Sequence, residues 1–306
     1  MIIVSQTRIK TAKQEHNSTI IFFHGMTLNN SHVGHFNSNM YQKFSNTKFI
    51  FPQASQKEWA VEGMFGCQNK EIPTKNTNWY CIKTTRSHLF TPNPPQNIEE
   101  IKEWSKEVEI NETHLNSVIV EVHKLIQAEI DKGIKPENII IAGYSQGGSV
   151  ALQTGLTFEK KLGGIISLSS FLPWTSKTYD LLNNSRQEKK NIPIIFCNGT
   201  DDELVPFWTG EMSAKILKLC RYSKVQFHGY QGQGHSTNCD KELNNFLEGV
   251  LLKNNSQNPI PPVDNNKNQP KNNWLFYLII GIVILAIIGL LIFIKRLFSK
   301  KNPVKV

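Results

Sequence analysis

Six short runs of β-branched and aromatic apolar residues constrain the fold: Thr19 to Phe23, Lys48 to Phe51, Asn138 to Ala142, Gly164 to Leu168, Ile192 to Cys197 and Lys224 to His228. Each is too short for an ordinary helix and almost continuously apolar, so each is expected to be a strand covered on both faces. Stretches with helical spacing lie between several of them. From His114 to Asp131, the residues Leu115, Val118, Val122, Leu125 and Ile126 share one face, and Gly147 to Phe158, Trp208 to Cys220 and Lys241 to Leu252 repeat the pattern. Strand alternating with helix predicts an α/β fold with a mostly parallel sheet covered by helices, occupying residues 1–252.

The alternation breaks between Pro52 and Ile110. This segment contains Pro73, Pro92, Pro94 and Pro95, and one short amphipathic stretch around Ile98 to Val108. A connection of this length is either a solvated insertion or a functional flap. Trp59, Phe65, Trp79 and Tyr80 favour a flap over a substrate site.

Beyond residue 252 the composition changes. Residues 253–273 hold eight Asn and four Pro and little that could enter a core, which predicts a linker. Residues 274–294 form a 21-residue run without a charged or amide side chain. As a helix rising ~1.5 Å per residue it would span about 31 Å, the thickness of a hydrocarbon core. Trp274 and Tyr277 at one end, and Lys295 and Arg296 at the other, suit the two interfaces. The expectation is a single C-terminal membrane anchor with a basic tail at 295–306.

Two opposing signals in the sequence bear on topology. The apolar start of Met1 to Lys10 is interrupted by Ser5, Gln6 and Arg8, too early for a signal-peptide core, which places the folded domain in the cytosol as a tail-anchored protein. The cations Lys295, Arg296, Lys300, Lys301 and Lys305 would favour the cytoplasmic side instead. On so short a tail the missing signal sequence is the preferred guide.

The formal net charge is +9, but residues 253–306 carry eight Lys or Arg against Asp264, so +7 of it lies there and about +2 remains in the domain. No basic stripe interleaves with aromatics in the folded part, so nucleic acid is not an expected partner. Those cations suit anionic lipid headgroups. The five cysteines, at 67, 81, 197, 220 and 239, have no C-x-x-C spacing, so neither a disulfide framework nor a zinc site is expected, and a reducing compartment fits.

The chemistry is concentrated at Ile139-Ile140-Ile141-Ala142-Gly143-Tyr144-Ser145-Gln146-Gly147-Gly148, a G-x-S-x-G between a strand and a helix. A tight strand-to-helix turn exposes a serine hydroxyl above the sheet, with Gly143 and Gly147 where a Cβ would collide. A serine is a weak nucleophile until a histidine takes its proton and an acid orients that histidine. In the α/β-hydrolase fold the order is Ser, acid, His. One strand runs into Asn198-Gly199-Thr200-Asp201-Asp202-Glu203, and the last strand is followed by Gly232-Gln233-Gly234-His235-Ser236. Asp202 is the preferred acid, with Asp201 and then Glu203 as alternatives. His235 is preferred to His228, which lies inside a strand. Two backbone N–H groups would meet the oxyanion, those of Gln146 and of Met26 after Phe22-Phe23-His24-Gly25. This chemistry needs no cofactor and no metal.

Five pieces, Phe23-His24-Gly25, Gly143-Tyr144-Ser145-Gln146-Gly147-Gly148, Leu168-Ser169-Ser170-Phe171-Leu172-Pro173, Asp202-Glu203-Leu204-Val205-Pro206 and Gly234-His235-Ser236, resemble the acyl-protein thioesterase and lysophospholipase family of α/β-hydrolases. The resemblance covers roughly residues 18–252. It supports Asp202 over Asp201, and implies hydrolysis of palmitoyl thioesters on proteins, of lysophospholipids, or of simple carboxyl esters. Depalmitoylation of S-acylated proteins at a membrane is the expected activity; a lysophospholipase or carboxylesterase, or an inactive membrane-tethered binding protein, are the alternatives. The chain departs from the usual pattern at Met26-Thr27-Leu28, at Asn198 where a histidine is usual, and at Asn78-Trp79-Tyr80-Cys81.

Overall fold

The computed structural model describes residues 7–32, 36–62, 74–175, 178, 184, 186–236 and 238–252. The linker, apolar run and basic tail expected at 253–306 lie outside the described residues. Among the described residues, no helix is long and apolar enough to cross a membrane.

In chain order the strands are β1 (Arg8–Lys10), β2 (Ser18–Phe23), β3 (Thr47–Phe51), β4 (Gln56–Glu62), β5 (Thr74–Thr77), β6 (Ile82–Thr85), β7 (Glu109–Ile110), β8 (Ile139–Tyr144), β9 (Gly164–Leu168), β10 (Ile194–Gly199) and β11 (Val225–Tyr230). The helices are α1 (Ser38–Lys43), α2 (Arg86–Leu89), α3 (Ile98–Trp104), α4 (Glu112–Asp131), α5 (Gln146–Thr157), α6 (Phe207–Leu219) and α7 (Asp240–Leu247). Seven strands form the main sheet in the order β1-β3-β2-β8-β9-β10-β11, parallel throughout except for the antiparallel edge strand β1. All six strands expected from the apolar runs are in it. β10 starts at Ile194 rather than Ile192 because Pro193 has no N–H to give to a ladder.

Strand pleating sends alternate side chains to opposite faces, and both faces are buried. Ile21, Phe23 and Ile141 enter one core with Leu115, Val118, Val122 and Ile126 of α4, while Ile20, Phe22 and Ile140 enter the other with Met40 of α1 and Leu243 and Phe246 of α7. α4 starts two residues before its first expected position because the Asn111 side chain caps it, accepting from the His114 N–H at 2.9 Å. Its other end is held by the buried carboxylate of Glu129, which pairs with Lys48 at 2.7 Å and Lys132 at 2.8 Å and accepts from the Thr19 hydroxyl at 3.1 Å. Burial pushes this carboxyl up, but the hydrogen bonds from the two lysines prevail and hold it below the usual range.

The described parts of the segment from Pro52 to Ile110, residues 52–62 and 74–110, form secondary structure rather than a solvated loop. β5-β4-β6-β7 form a second, mixed sheet, and Trp79, Tyr80 and Ile101 are buried in the main core. Phe65 lies outside the described residues, as does the side chain of Trp59.

Candidate active site

Ser145 sits between β8 and α5 at φ 54° and ψ −128°, a region L-residues rarely occupy. Two close approaches enforce this turn. A Cβ on Gly143 would stand 2.1 Å from the Gly147 carbonyl oxygen, and one on Gly147 would stand 2.2 Å from that of Phe23, so any larger residue would push the elbow off the end of β2. The backbone is pinned by the Ser145 N–H, which donates to Leu168 at 2.8 Å, and by the Ser170 hydroxyl, which donates to the Ser145 carbonyl at 2.5 Å. Ser145 also precedes the unpaired N–H groups of α5, which favour negative charge.

The loops after β10 and β11 bring Asp202 and His235 together. The Nδ1–H of His235 donates to the Asp202 carboxylate, at 2.8 Å from Oδ2 and 2.9 Å from Oδ1. Asp202 is buried, and its Oδ1 also accepts from the Leu204 and Val205 N–H groups at 2.9 and 2.8 Å. Asp201 and Glu203 are exposed, and Asp201 is occupied by the Thr200 hydroxyl at 2.7 Å. The loops are stitched by backbone bonds from Thr200 to Tyr230 and from Asp201 to Gln233, both 3.0 Å. The His235 ring lies 4.9 Å from that of Tyr144, beside the elbow. His228 stays within β11.

Met26 and Gln146 line one pocket with Ser145. Sequence reasoning missed what ties them together. The Gln146 side chain accepts from the Trp79 N–H and donates to the Tyr80 carbonyl, both at 2.8 Å, so the flap is clamped to the first residue of α5. The Trp79 indole N–H donates to the His24 carbonyl at 2.7 Å, and its ring packs 4.9 Å from the His24 imidazole. His24 is locked in turn: its Nδ1 bonds the Gly25 carbonyl at 2.7 Å, and its Nε2 accepts from the Ala54 N–H at 3.2 Å. Since a carbonyl only accepts and an amide N–H only donates, the imidazole is neutral with its proton on Nδ1. The one visible signal was the Trp79-Tyr80 pair.

Burial of His24 lowers its pKa to about 4. The unfolded chain takes up this proton from the ordinary value of 6.5 downward while the folded chain refuses it until about pH 4. His24 therefore stabilises the fold above pH 6.5, and this contribution is lost as pH falls through that window. At about 1.4 kcal/mol per unit, the stability gap between wild type and His24→Gln should shrink by about 2 to 3 kcal/mol from pH 7 to pH 4.5. Urea unfolding at both pH values measures this. A gap that stays constant with pH contradicts a neutral, buried His24.

The pocket beside Ser145 is a slot with about 760 Å³ of empty volume, its open mouth included. Its walls include Ile82, Leu89, Val108, Ile110, Phe171 and Trp174, and its surface is overwhelmingly apolar. A serine at the edge of a slot of this character suits an ester or thioester of an aliphatic acid. Among the described residues, no cluster of three or more His, Cys, Asp or Glu side chains could hold a metal.

A serine on a strained strand-to-helix turn, above a mostly parallel sheet and beside an Asp–His pair from the next loops, defines an α/β-hydrolase. The chain belongs to the phospholipase/carboxylesterase family, whose sequence profile matches residues 4–66 and 60–250. It is 34% identical over 231 residues to acyl-protein thioesterase 1 of Gibberella zeae, covering 74% of this chain and 86% of that one. To acyl-protein thioesterase 1 of Yarrowia lipolytica it is 31% identical over 244 residues, covering 78% and 93%. The crystal structure of Arabidopsis thaliana SOBER1 superposes with a TM-score of 0.56 at 26% identity, over 77% of this chain and 98% of that one. The chain is a serine hydrolase of the esterase and thioesterase type.

Proposed function

We propose that the chain removes long acyl groups from S-acylated proteins, with Ser145 as nucleophile, His235 as general base and acid, and Asp202 as the group that orients His235. His235 takes the Ser145 proton as the hydroxyl attacks the acyl carbon, and the resulting oxyanion is met by the backbone N–H groups of Met26 and Gln146. Collapse releases the thiol, which receives the proton from His235, and leaves an acyl-enzyme. Water activated by His235 then frees the fatty acid. The observation that carries this reading is the His235–Asp202 bond set beside a serine that opens into an apolar slot. An oxygen ester could follow the same route, so lysophospholipid hydrolysis is the second reading; the family's description as phospholipase/carboxylesterase favours keeping it.

The reading extends to a catalytic domain at 1–252, a linker at 253–273, a membrane span at 274–294 and a basic tail at 295–306, with the domain on the cytosolic side. Supporting it are the uncharged 21-residue run and the Asn- and Pro-rich stretch before it. A flexible linker of that length reaches roughly 25 Å, which would keep Ser145 near membrane-borne acyl chains.

The full chain should label with a fluorophosphonate and hydrolyse an S-palmitoyl peptide on vesicles about tenfold or more faster, as kcat/KM, than lysophosphatidylcholine. Removal of residues 253–306 should weaken only the reaction on vesicles and leave a soluble short-chain thioester unaffected. A reversed preference would assign a lysophospholipase. Absence of labelling in folded protein would leave a binding role, and equal losses on both substrates would sink the proximity idea.

A further inference from the structure

Part of the wall of the slot beside Ser145 is built from Tyr80, Ile82, Leu89, Trp104, Val108 and Ile110. Trp104, at the end of α3, lines the slot. Its ring meets that of Trp208 on α6 edge to face, with centroids 4.9 Å apart at 88°. Trp208 in turn lines a separate surface groove with Pro94, Pro95, Met212 and Phe227. The two indoles therefore meet edge to face, Trp104 lining the slot and Trp208 the groove.

This partition is held from several sides. The Trp104 ring stacks on His88 at 4.9 Å and 12°, its indole N–H donates to the His88 carbonyl at 3.2 Å, and His88 Nε2 bonds the Trp104 carbonyl at 2.8 Å. The Trp208 indole N–H donates to Leu89 at 3.2 Å, and Arg86 donates to the Glu203 carbonyl at 2.6 Å, next to Asp202. Both tryptophans thus have a polar tip that is satisfied and an apolar face left for contact. So much fixation on a four-residue helix, α2, gives the wall a defined position rather than a range of them.

We infer that Trp104, backed by Trp208, is a specificity-determining residue that sets the longest acyl chain the slot accepts, and that without it the slot opens into the groove of Pro94 and Phe227. This rests on the acyl-hydrolase reading. A close-packed wall rejects added methylenes because the neighbouring rings cannot yield without strain, whereas an opened wall gives each additional methylene apolar surface to cover.

The test is kcat/KM of the full chain on S-acyl thioesters from butanoyl to hexadecanoyl, for wild type, Trp104→Ala and Trp104→Leu. The quantity read is the ratio of the longest to the octanoyl substrate, which a partial loss of folded protein leaves unmoved. It should rise about tenfold or more in Trp104→Ala and less in Trp104→Leu. A ratio within twofold of wild type in both variants overturns the inference. Loss of turnover at every chain length in both overturns it too, since Trp104 then serves the fold rather than selectivity. A wild type that turns over none of the substrates fails the hydrolase reading and takes this inference with it, while an active wild type with unmoved ratios fails the inference alone.

Discussion

Ser145→Ala should lower kcat on a short-chain thioester by about 10⁴-fold or more and abolish fluorophosphonate labelling. The substitution keeps the Cβ, and with it the elbow geometry, while removing the hydroxyl oxygen proposed to form the acyl-enzyme. Ser145→Gly sharpens the case. At φ 54° a residue with a Cβ is strained, so glycine should lose the same turnover yet raise unfolding stability by about 1 kcal/mol. Activity within a hundredfold of wild type in Ser145→Ala, checked by single-turnover kinetics on purified protein, would remove Ser145 from the reaction. A destabilised Ser145→Gly would mean that the elbow is not the strained element its dihedrals describe.

The parts of the fold legible in the sequence are those whose local pattern and final environment agree. β2, β8, β9 and β10 are buried on both faces, so their apolar runs stand out without knowledge of their neighbours. α4 shows its stripe for the same reason: one face meets the core and the other meets water. The second sheet left no such mark. Gln56–Glu62, Thr74–Thr77 and Ile82–Thr85 are largely polar, and β7 has two residues, so their strand character comes from pairing with one another rather than from periodicity. Lone edge strand β1, Arg-Ile-Lys, was hidden similarly.

The active site divides along the same line. Ser145 and the order of its partners could be read because a nucleophile elbow imposes glycines at fixed offsets. The bonds linking Gln146, Trp79 and His24 join residues up to 67 positions apart and obey no spacing rule, so they emerge only once the flap has folded onto α5. They give the flap a task beyond covering the pocket: the loop bearing Met26 and the first turn of α5 are held through a single tryptophan. The apolar slot likewise assembles from β6, α2 and α3, which carry no signature of their own, together with the Phe171–Trp174 and Leu204–Pro206 loops, whose motifs mark the family but not the pocket they wall.

Asp201 and Asp202 are adjacent in sequence and opposite in environment, which makes their amides the most discriminating pair. Asp202→Asn should lower kcat by about 10⁴-fold with little change in KM. The Asn oxygen can still accept from Leu204 and Val205, so the loop keeps its shape, but its amide N–H₂ then faces His235 Nδ1. That nitrogen must become an acceptor, the ring proton moves to Nε2, and the atom required to take the Ser145 proton is already protonated. Asp201→Asn keeps the acceptor used by the Thr200 hydroxyl and lies in solvent, so its kcat should stay within about twofold of wild type. Steady-state kinetics on a soluble thioester, with thermal unfolding to confirm that both variants fold, decides the matter. Equal losses would mean that the loop's charge rather than one carboxylate supports His235, and a larger loss at Asp201 would reassign the acid.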